Sequence, residues 1–436
     1  MRGVTPGRRA ALDVLRAVRR GALADRALAD AVARLDPRER AWTQELVYGT
    51  LRLRGRIDHM LAPLVRRGLA KLEPDVLDTL RLAAYQLLEM DAVPDYAAVS
   101  QAVEQARRVG GRGADRLVNG VLRAWLARGA PPDWPDEESD PAGFLATWGS
   151  HPRWLVERWI GRWGAEETRR LVEANNRRPE LYLRPIGVPV AEALRRLAAA
   201  GIAAEPVAFA PDSVRLVPPA SVSDALAAVP AVVQDPAAAL VVRYAAVPPG
   251  GLVADLAAAP GGKALALAVE ARYTVAADAS FSRMGKVREN AQRLGASRLG
   301  LLVADARRPP LRDGAADAVL LDVPCTGTGT FRRHPDARWR LRPEDLAALT
   351  ALQREMLEAA AALPRPGGLL IYSTCSLEPE ENEAQVDWFL ERHPEYVIRP
   401  PAGFDPALLD ARGCLTVLPQ RTGVDGAFAA RLERRA

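Results

Sequence analysis

The sequence predicts a multidomain protein: an all-α N-terminal bundle, a small α+β module, and a C-terminal α/β domain on a largely parallel sheet. Three observations carry this. Through residues 1–128, apolar residues recur at helical spacing and no strand pattern interrupts them. Residues 129–143, GAPPDWPDEESDPAG, concentrate proline and acid and read as a linker. From Gln234 onward, short apolar runs alternate with helical stretches, as in a parallel sheet covered on both faces. The expected boundaries are therefore 1–128, 129–143, 144–233 and 234–436.

Composition narrows the class. A length of 436 residues leaves room for about three domains. Hydrophobic content of 49% and charged content of 26% are ordinary for a globular protein. No run approaches the ~18 apolar residues of a membrane span. The first residues, MRGVTPGRRA, carry no apolar segment of the secretory kind, so a cytoplasmic protein is expected. The three cysteines form no CxxC pair and the four histidines are scattered, so neither a metal site nor a structural disulfide is expected. Charge is uneven. Residues 1–130 hold 23 Lys and Arg against 15 Asp and Glu, while the remainder holds 36 against 39. A basic first part suggests a polyanionic partner.

In chain order, Thr5-Pro6 reads as an N-cap with proline at the first helical position, followed by Leu12, Leu15 and Val18 on one face. Asp36-Pro37-Arg38-Glu39 reads as a capping box, its helix ending near Gly49. Helical patterns follow Glu73-Pro74-Asp75 and Pro94-Asp95, and another runs from about Ala114 to Arg128. Trp148, Trp154, Trp159 and Trp163 cluster after the linker, and packing suits them better than base stacking. A strand (181–184), a helix (190–200) and an alternating strand (207–217) make the small module.

The C-terminal domain centres on LVADLAAAPGGK, residues 252–263. An apolar strand ends at Asp255, three alanines let a ligand approach the backbone, and Pro260-Gly261-Gly262 turns the chain into a helix. Such a strand–turn–helix is a standing site for a nucleotide-like ligand. Further strands are expected to end at Asp278, Asp305, Asp322 and Ser373, with a helix over 280–294. Two segments, 415–418 and 427–432, suit an antiparallel edge pair. Lysine occurs only at 71, 263 and 286, so its presence in APGGK hints at a need for an amine there. Strand ends converge on one crevice in an open α/β sheet. Cys325 and Cys375, each just beyond such an end, would then face the Leu252–Lys263 loop.

Taken in order, DLAAAPGGK, LLDVPCTGTG and YSTCSLEPEEN resemble the RNA cytosine-5 methyltransferases of the Sun/NOL1/NOP2 family over residues from about 234 onward. QELVYGTLRLRGRIDHML and DYAAVSQAVEQARR…LVNGVLRAW resemble the NusB-like RNA-binding domain. The resemblance implies a Rossmann-like catalytic domain using S-adenosyl-L-methionine, and, with a NusB-like part in front, 16S ribosomal RNA as substrate. It implies no obligate protein partner. The module LYLRPIGVP departs from the family's usual asparagine after the strand.

By resemblance, Cys375 is the nucleophile that adds to cytosine carbon 6, and Cys325 assists product release. Asp322 would hold the cytosine edge near nitrogen 3, and Lys263 would favour the thiolate. The loop Ala257, Ala258, Ala259, Pro260, Gly261, Gly262 and Lys263 would surround the methionine part of the cofactor. Asp278 would bind its ribose and Asp305 its adenine edge, with Asp322 bordering the pocket. Arg52, Arg54 and Arg56, and the basic segment Arg332, Arg333 and His334, would contact RNA. Cys414, outside any motif, is expected to be structural. The competing class is a non-catalytic RNA-binding or ribosome assembly factor that keeps the fold; methyl transfer from labelled cofactor to RNA discriminates the two.

Overall fold

The computed structural model describes residues 3–128 and 131–435, so the linker residues Gly129 and Ala130 lie outside the described residues. The chain divides into two units. The first holds the chain up to Arg177 together with Phe331–Leu341, and the second holds Arg178–Thr330 and Arg342–Ala436. Of the stretch 144–233, residues 144–177 thus belong to the first unit. Among the described residues, no helix is long and apolar enough to cross a membrane.

The first unit begins with α1 (Pro6–Arg19), α2 (Ala24–Val32), α3 (Pro37–Arg52), α4 (Arg54–Leu61), α5 (Pro74–Glu89), α6 (Asp95–Val109) and α7 (Ala114–Ala127). Leu12, Leu46, Ile57, Leu61, Leu80 and Leu122 share one buried core. Asp36 caps α3, accepting from the Glu39 amide at 3.0 Å. The reciprocal half of the capping box is absent: Glu39 Oε1 accepts instead from the Gly7 amide of α1 at 2.9 Å. A tertiary contact has taken the carboxylate that local pairing would use. Nor does α3 stop at Gly49. That glycine lies within the helix, where an added Cβ would come within 1.9 Å of the Tyr85 ring. It serves close packing of α3 on α5 and not helix termination; Gly49→Ala would overpack the crossing, at a cost of about 1–3 kcal/mol.

Beyond the linker come α8 (Pro141–Thr147), α9 (Arg153–Trp163) and α10 (Ala165–Asn176). Trp159 is buried, edge-on to His151 and tilted against Phe331. The segment Phe331–Leu341 completes this unit through the fully buried Arg338. Its guanidinium donates to the carbonyls of Arg52 (3.4 Å), Ser150 (3.1 Å), Asn175 (3.1 Å) and Phe331 (3.2 Å) and to Asn176 Oδ1 (2.9 Å).

The second unit carries two sheets. β1 (Leu181–Pro185), α11 (Val190–Ala199), β2 (Ala204–Pro206), β3 (Val214–Leu216), α12 (Val222–Ala228) and β4 (Ala231–Val233) form an antiparallel sheet in the order β2-β3-β1-β4. The single strand expected over 207–217 does not form. The chain reverses through residues 207–213, and the alternating apolar residues that suggested one strand belong to that turn and to β3.

The larger sheet is built from β5 (Leu252–Asp255), β6 (Tyr273–Asp278), β7 (Leu299–Val303), β8 (Ala316–Asp322), β9 (Pro364–Thr374), β10 (Tyr396–Ile398), β11 (Leu415–Val417) and β12 (Ala427–Arg434). Its order is β10-β12-β9-β8-β5-β6-β7, with β11 paired to β12. β5 to β9 are parallel, and β12 runs antiparallel to β9. β11 and β12 form the expected antiparallel pair, Leu415 opposite Ala429. β12 lies between β9 on one side and the short strands β10 and β11 on the other, so those two share the edge. Helices α13 (Pro236–Ala245), α14 (Gly262–Glu270), α15 (Phe281–Arg293), α16 (Pro343–Ala360) and α17 (Glu383–Arg392) accompany this sheet. The chain passes from β5 to β6 and β7 on one side, then returns through β8 and β9 on the other. This reversal opens a crevice at the carboxyl end of β5.

Candidate active site

The crevice is built from the ends of β5, β6, β8 and β9. Register places Asp322 beside Ser373, and Asp255 beside Leu320 and Ala276. Beyond β5 the chain turns through Gly261 (φ +105°), where a Cβ would meet Val287 at 2.9 Å. Only glycine lets this loop lie so close to α15.

Lys263, in the first turn of α14, donates to Asp322 Oδ2 at 2.7 Å, and Ser373 Oγ donates to Asp322 Oδ1 at 2.7 Å. Burial pulls the lysine pKa down, but the charge and hydrogen bond of Asp322 outweigh it, with smaller help from Asp255 and Cys375, so the ammonium is held above its ordinary value. Asp255 is buried; its carboxyl is raised to about 7 by that burial and then by the negative charge of Asp322. Its Oδ2 has no hydrogen-bond partner among the described residues.

The two thiols meet. Cys325 Sγ and Cys375 Sγ lie 3.4 Å apart, a contact between free thiols. Both side chains are partly exposed, while Thr326, Thr328, Thr374, Ser376, Glu381 and Asn382 around them are buried. The hydrogen bond with Cys375, then burial, raises the Cys325 pKa well above the usual thiol value. Gly329 allows the backbones to close on this pair; a Cβ there would come within 2.7 Å of the Cys375 carbonyl. Cys414 lies elsewhere, buried, its thiol pushed up to about 12 by that burial.

Asp278 ends β6 with its carboxylate buried. It accepts from the amides of Ser280 at 2.9 Å and Ala259 at 3.3 Å, so it anchors the Ala257–Pro260 loop. Exposed Phe281 begins α15 beside it. Asp305 lies two residues beyond β7, half-exposed, and is clamped by Arg307, whose hydrogen bonds hold its carboxyl below the usual range. The orphaned Asp255 oxygen, the small-residue loop and the Asp278 carboxylate fit a nucleoside cofactor with a charged amino-acid arm. A separate cleft of about 550 Å³ is lined by Arg184, Phe209, Leu267, Glu270 and Phe404. It lies at the opposite end of α14 from Lys263 and contains none of these groups.

The six basic residues expected at RNA all belong to the first unit. Arg52 and Arg332 are buried there, which removes them as phosphate contacts in this form. Arg56 donates to the Trp148 carbonyl at 2.8 Å and lies over that ring, and Arg54 lies over Trp339. His334 pairs with Asp25 at 3.3 Å, and Arg333 is half-buried. Three polar residues escaped sequence reasoning: Gln353, Glu381 and Asn382. Glu381 and Asn382 stood inside the YSTCSLEPEEN motif without a role, and nothing local singles out Gln353.

An open, largely parallel sheet reversing at β5, with a glycine turn and acidic strand ends, has the Rossmann-like architecture that binds nucleoside cofactors at its strand carboxyl ends. Residues 246–433 match the 16S rRNA methyltransferase RsmB/F family, residues 5–127 the NusB family, and residues 151–223 the ferredoxin-like domain of RsmF/B-like methyltransferases. Ribosomal RNA small subunit methyltransferase B of Thermus thermophilus is 38% identical over 456 residues, covering 100% of this chain and 99% of that one. The probable ribosomal RNA small subunit methyltransferase B of Bacillus subtilis is 32% identical, covering 92% of each. A solved methyltransferase homolog from Pyrococcus horikoshii is 27% identical, covers 69% of this chain and 100% of its own, and superimposes with a TM-score of 0.58. The chain belongs to the RsmB/F methyltransferase family, and its methyl donor is S-adenosyl-L-methionine.

Proposed function

We propose that the protein methylates carbon 5 of a cytosine in 16S ribosomal RNA through a covalent adduct at Cys375. The observation that carries this reading is the thiol pair at adjacent strand ends, 3.4 Å apart, beside the Lys263–Asp322 ion pair. Carbon 5 of cytosine is a weak nucleophile. A thiolate bonded to carbon 6 makes it enamine-like.

Cys375 forms the sulfur–carbon 6 bond, its thiolate favoured by the Lys263 ammonium. Asp322, steadied by Lys263 and Ser373, meets the edge of the base at nitrogen 3. Bound S-adenosyl-L-methionine supplies an electrophilic methyl group at its sulfonium, which carbon 5 accepts. Cys325, having passed its own proton to solvent, acts as the thiolate and takes the carbon 5 proton; the electron pair of that carbon–hydrogen bond restores the 5,6 double bond, and the sulfur–carbon 6 bond breaks to release Cys375 as its thiolate. Asp278 and the Ala257–Lys263 loop hold the cofactor, with Asp305 and Asp322 at the borders of its pocket. The basic first unit supplies the RNA-binding surface through its exposed cations.

The test is a denaturing gel with labelled RNA and labelled cofactor. Cys375→Ala should give neither methylated RNA nor adduct. Cys325→Ala should transfer the methyl group and accumulate a methylated RNA–protein adduct. An adduct with Cys375→Ala and none with Cys325→Ala would reverse the two roles.

A further inference from the structure

We infer that Glu381 is a positioning residue: its buried carboxylate latches together the two loops that carry the thiols and so sets the rate at which methylated base leaves the enzyme. This rests on the cytosine reading above. Glu381 Oε1 accepts from the Thr326 amide at 2.9 Å and from Gln353 Nε2 at 2.9 Å. Its Oε2 accepts from Thr326 Oγ1 at 2.5 Å, and Ser376 adds a side-chain hydrogen bond. The same Gln353 amide donates to the Pro324 carbonyl at 2.9 Å. Pro324 and Thr326, the two neighbours of Cys325, are thereby held by one pair of side chains.

The other thiol is flanked in the same way. Thr374 Oγ1 donates to Asn382 Oδ1 at 2.6 Å, and Asn382 Nδ2 donates to the Ser376 carbonyl at 2.9 Å. Ser376 Oγ and Thr326 Oγ1 lie 3.0 Å apart, which closes the network across the loops. Burying a carboxylate is costly unless it is fully hydrogen-bonded, and here its donors, Gln353 apart, are the residues beside the cysteines. Glu381 itself is buried, so it acts through the thiols and not on the base. Cys325 faces Cys375, Glu381 and Tyr372, and Lys263 faces Cys375 from β5's side of the crevice. The Glu381 charge adds to the effects that raise the Cys325 pKa.

Full-length Glu381→Gln is compared with the parent on a 16S rRNA fragment and labelled cofactor. Adduct formation and KM for the cofactor should stay within a few-fold. Release of methylated RNA should slow by roughly ten- to a hundredfold, the scale of an ångström-sized misplacement, so the adduct accumulates. The pH profile of release should shift to lower pH, because Cys325 loses a neighbouring negative charge. Thr326→Val, which removes one donor to the same carboxylate, should give a weaker version. In RNA-free protein, dibromobimane should bridge the two thiols in the parent and less so in Glu381→Gln. Unchanged release and bridging would overturn the inference, as would an equal loss of adduct formation and release with no shift in pH profile. If Cys325→Ala traps no adduct, the cytosine reading fails, while bridging still reports on the latch.

Discussion

Arg338 in the first unit and Glu381 in the second are both charged, both fully buried, and both tie together segments distant in sequence. They differ in what they hold. Arg338 donates to four backbone carbonyls and the Asn176 side-chain carbonyl, and no carboxylate pairs with it among the described residues. Burial therefore pulls its pKa well below the ordinary arginine value, and its hydrogen bonds shape only the path of the backbone. Glu381 accepts from side chains and amides adjacent to two thiols. Burial raises its pKa, opposed by hydrogen bonds from Ser376, Thr326 and Gln353. A buried charge shapes chemistry when its partners adjoin reactive atoms; otherwise it stays architectural.

The largest expected effect would break this contrast outright. Cys375→Ala should lower methyl transfer by at least about 10⁴-fold, and adding Glu381→Gln should change nothing further, since groups acting as a unit are not additive. A further drop in the double variant, measured with labelled cofactor, would mean that Glu381 acts by some route other than the thiols. Next in size, Arg338→Met should destabilise the first unit by about 2–4 kcal/mol, through carbonyls left unpaired in the interior. Cofactor affinity, a property of the second unit, should be unchanged by calorimetry; weakened binding would show that Arg338 is more than architecture.

Asp278→Ala should weaken cofactor binding by roughly 1–3 kcal/mol, the cost of losing a charged hydrogen bond. Unchanged affinity would remove Asp278 from the pocket. The smallest effect is a slope with pH. The folded protein holds a proton on Asp255 up to about pH 7, whereas an ordinary aspartate releases it near 3.8. The native state thus binds more protons than the unfolded chain across that window, and stability should fall as pH rises through it. Denaturant midpoints at pH 5 and pH 8 should differ in the parent and converge in Asp255→Asn; equal slopes in both would show that Asp255 is not the group responsible.

The residues alone determined the fold class, the strand ends at Asp255, Asp278 and Asp322 and the helix starts at Asp36 and Ser280, because these rest on local spacing and on short-range caps, whereas β7 stops at Val303, short of the expected Asp305. The glycine turn at 261 and the cysteines beyond β8 and β9 were legible for the same reason. What lay beyond reach depends on contacts with no local signature. Glu39 and Gly49 obeyed a partner helix, not their own turn. β10, the further antiparallel neighbour of β12, is three residues long and shows no alternation. Arg52 and Arg332, exposed by every sequence criterion, are buried by tertiary packing. The 3.4 Å meeting of Cys325 with Cys375, and the Glu381 latch reaching 55 residues back to Thr326, exist only once parallel pairing of β8 and β9 brings two strand ends side by side. Sequence spacing measures distance along the chain, and the distances that set this chemistry run across it.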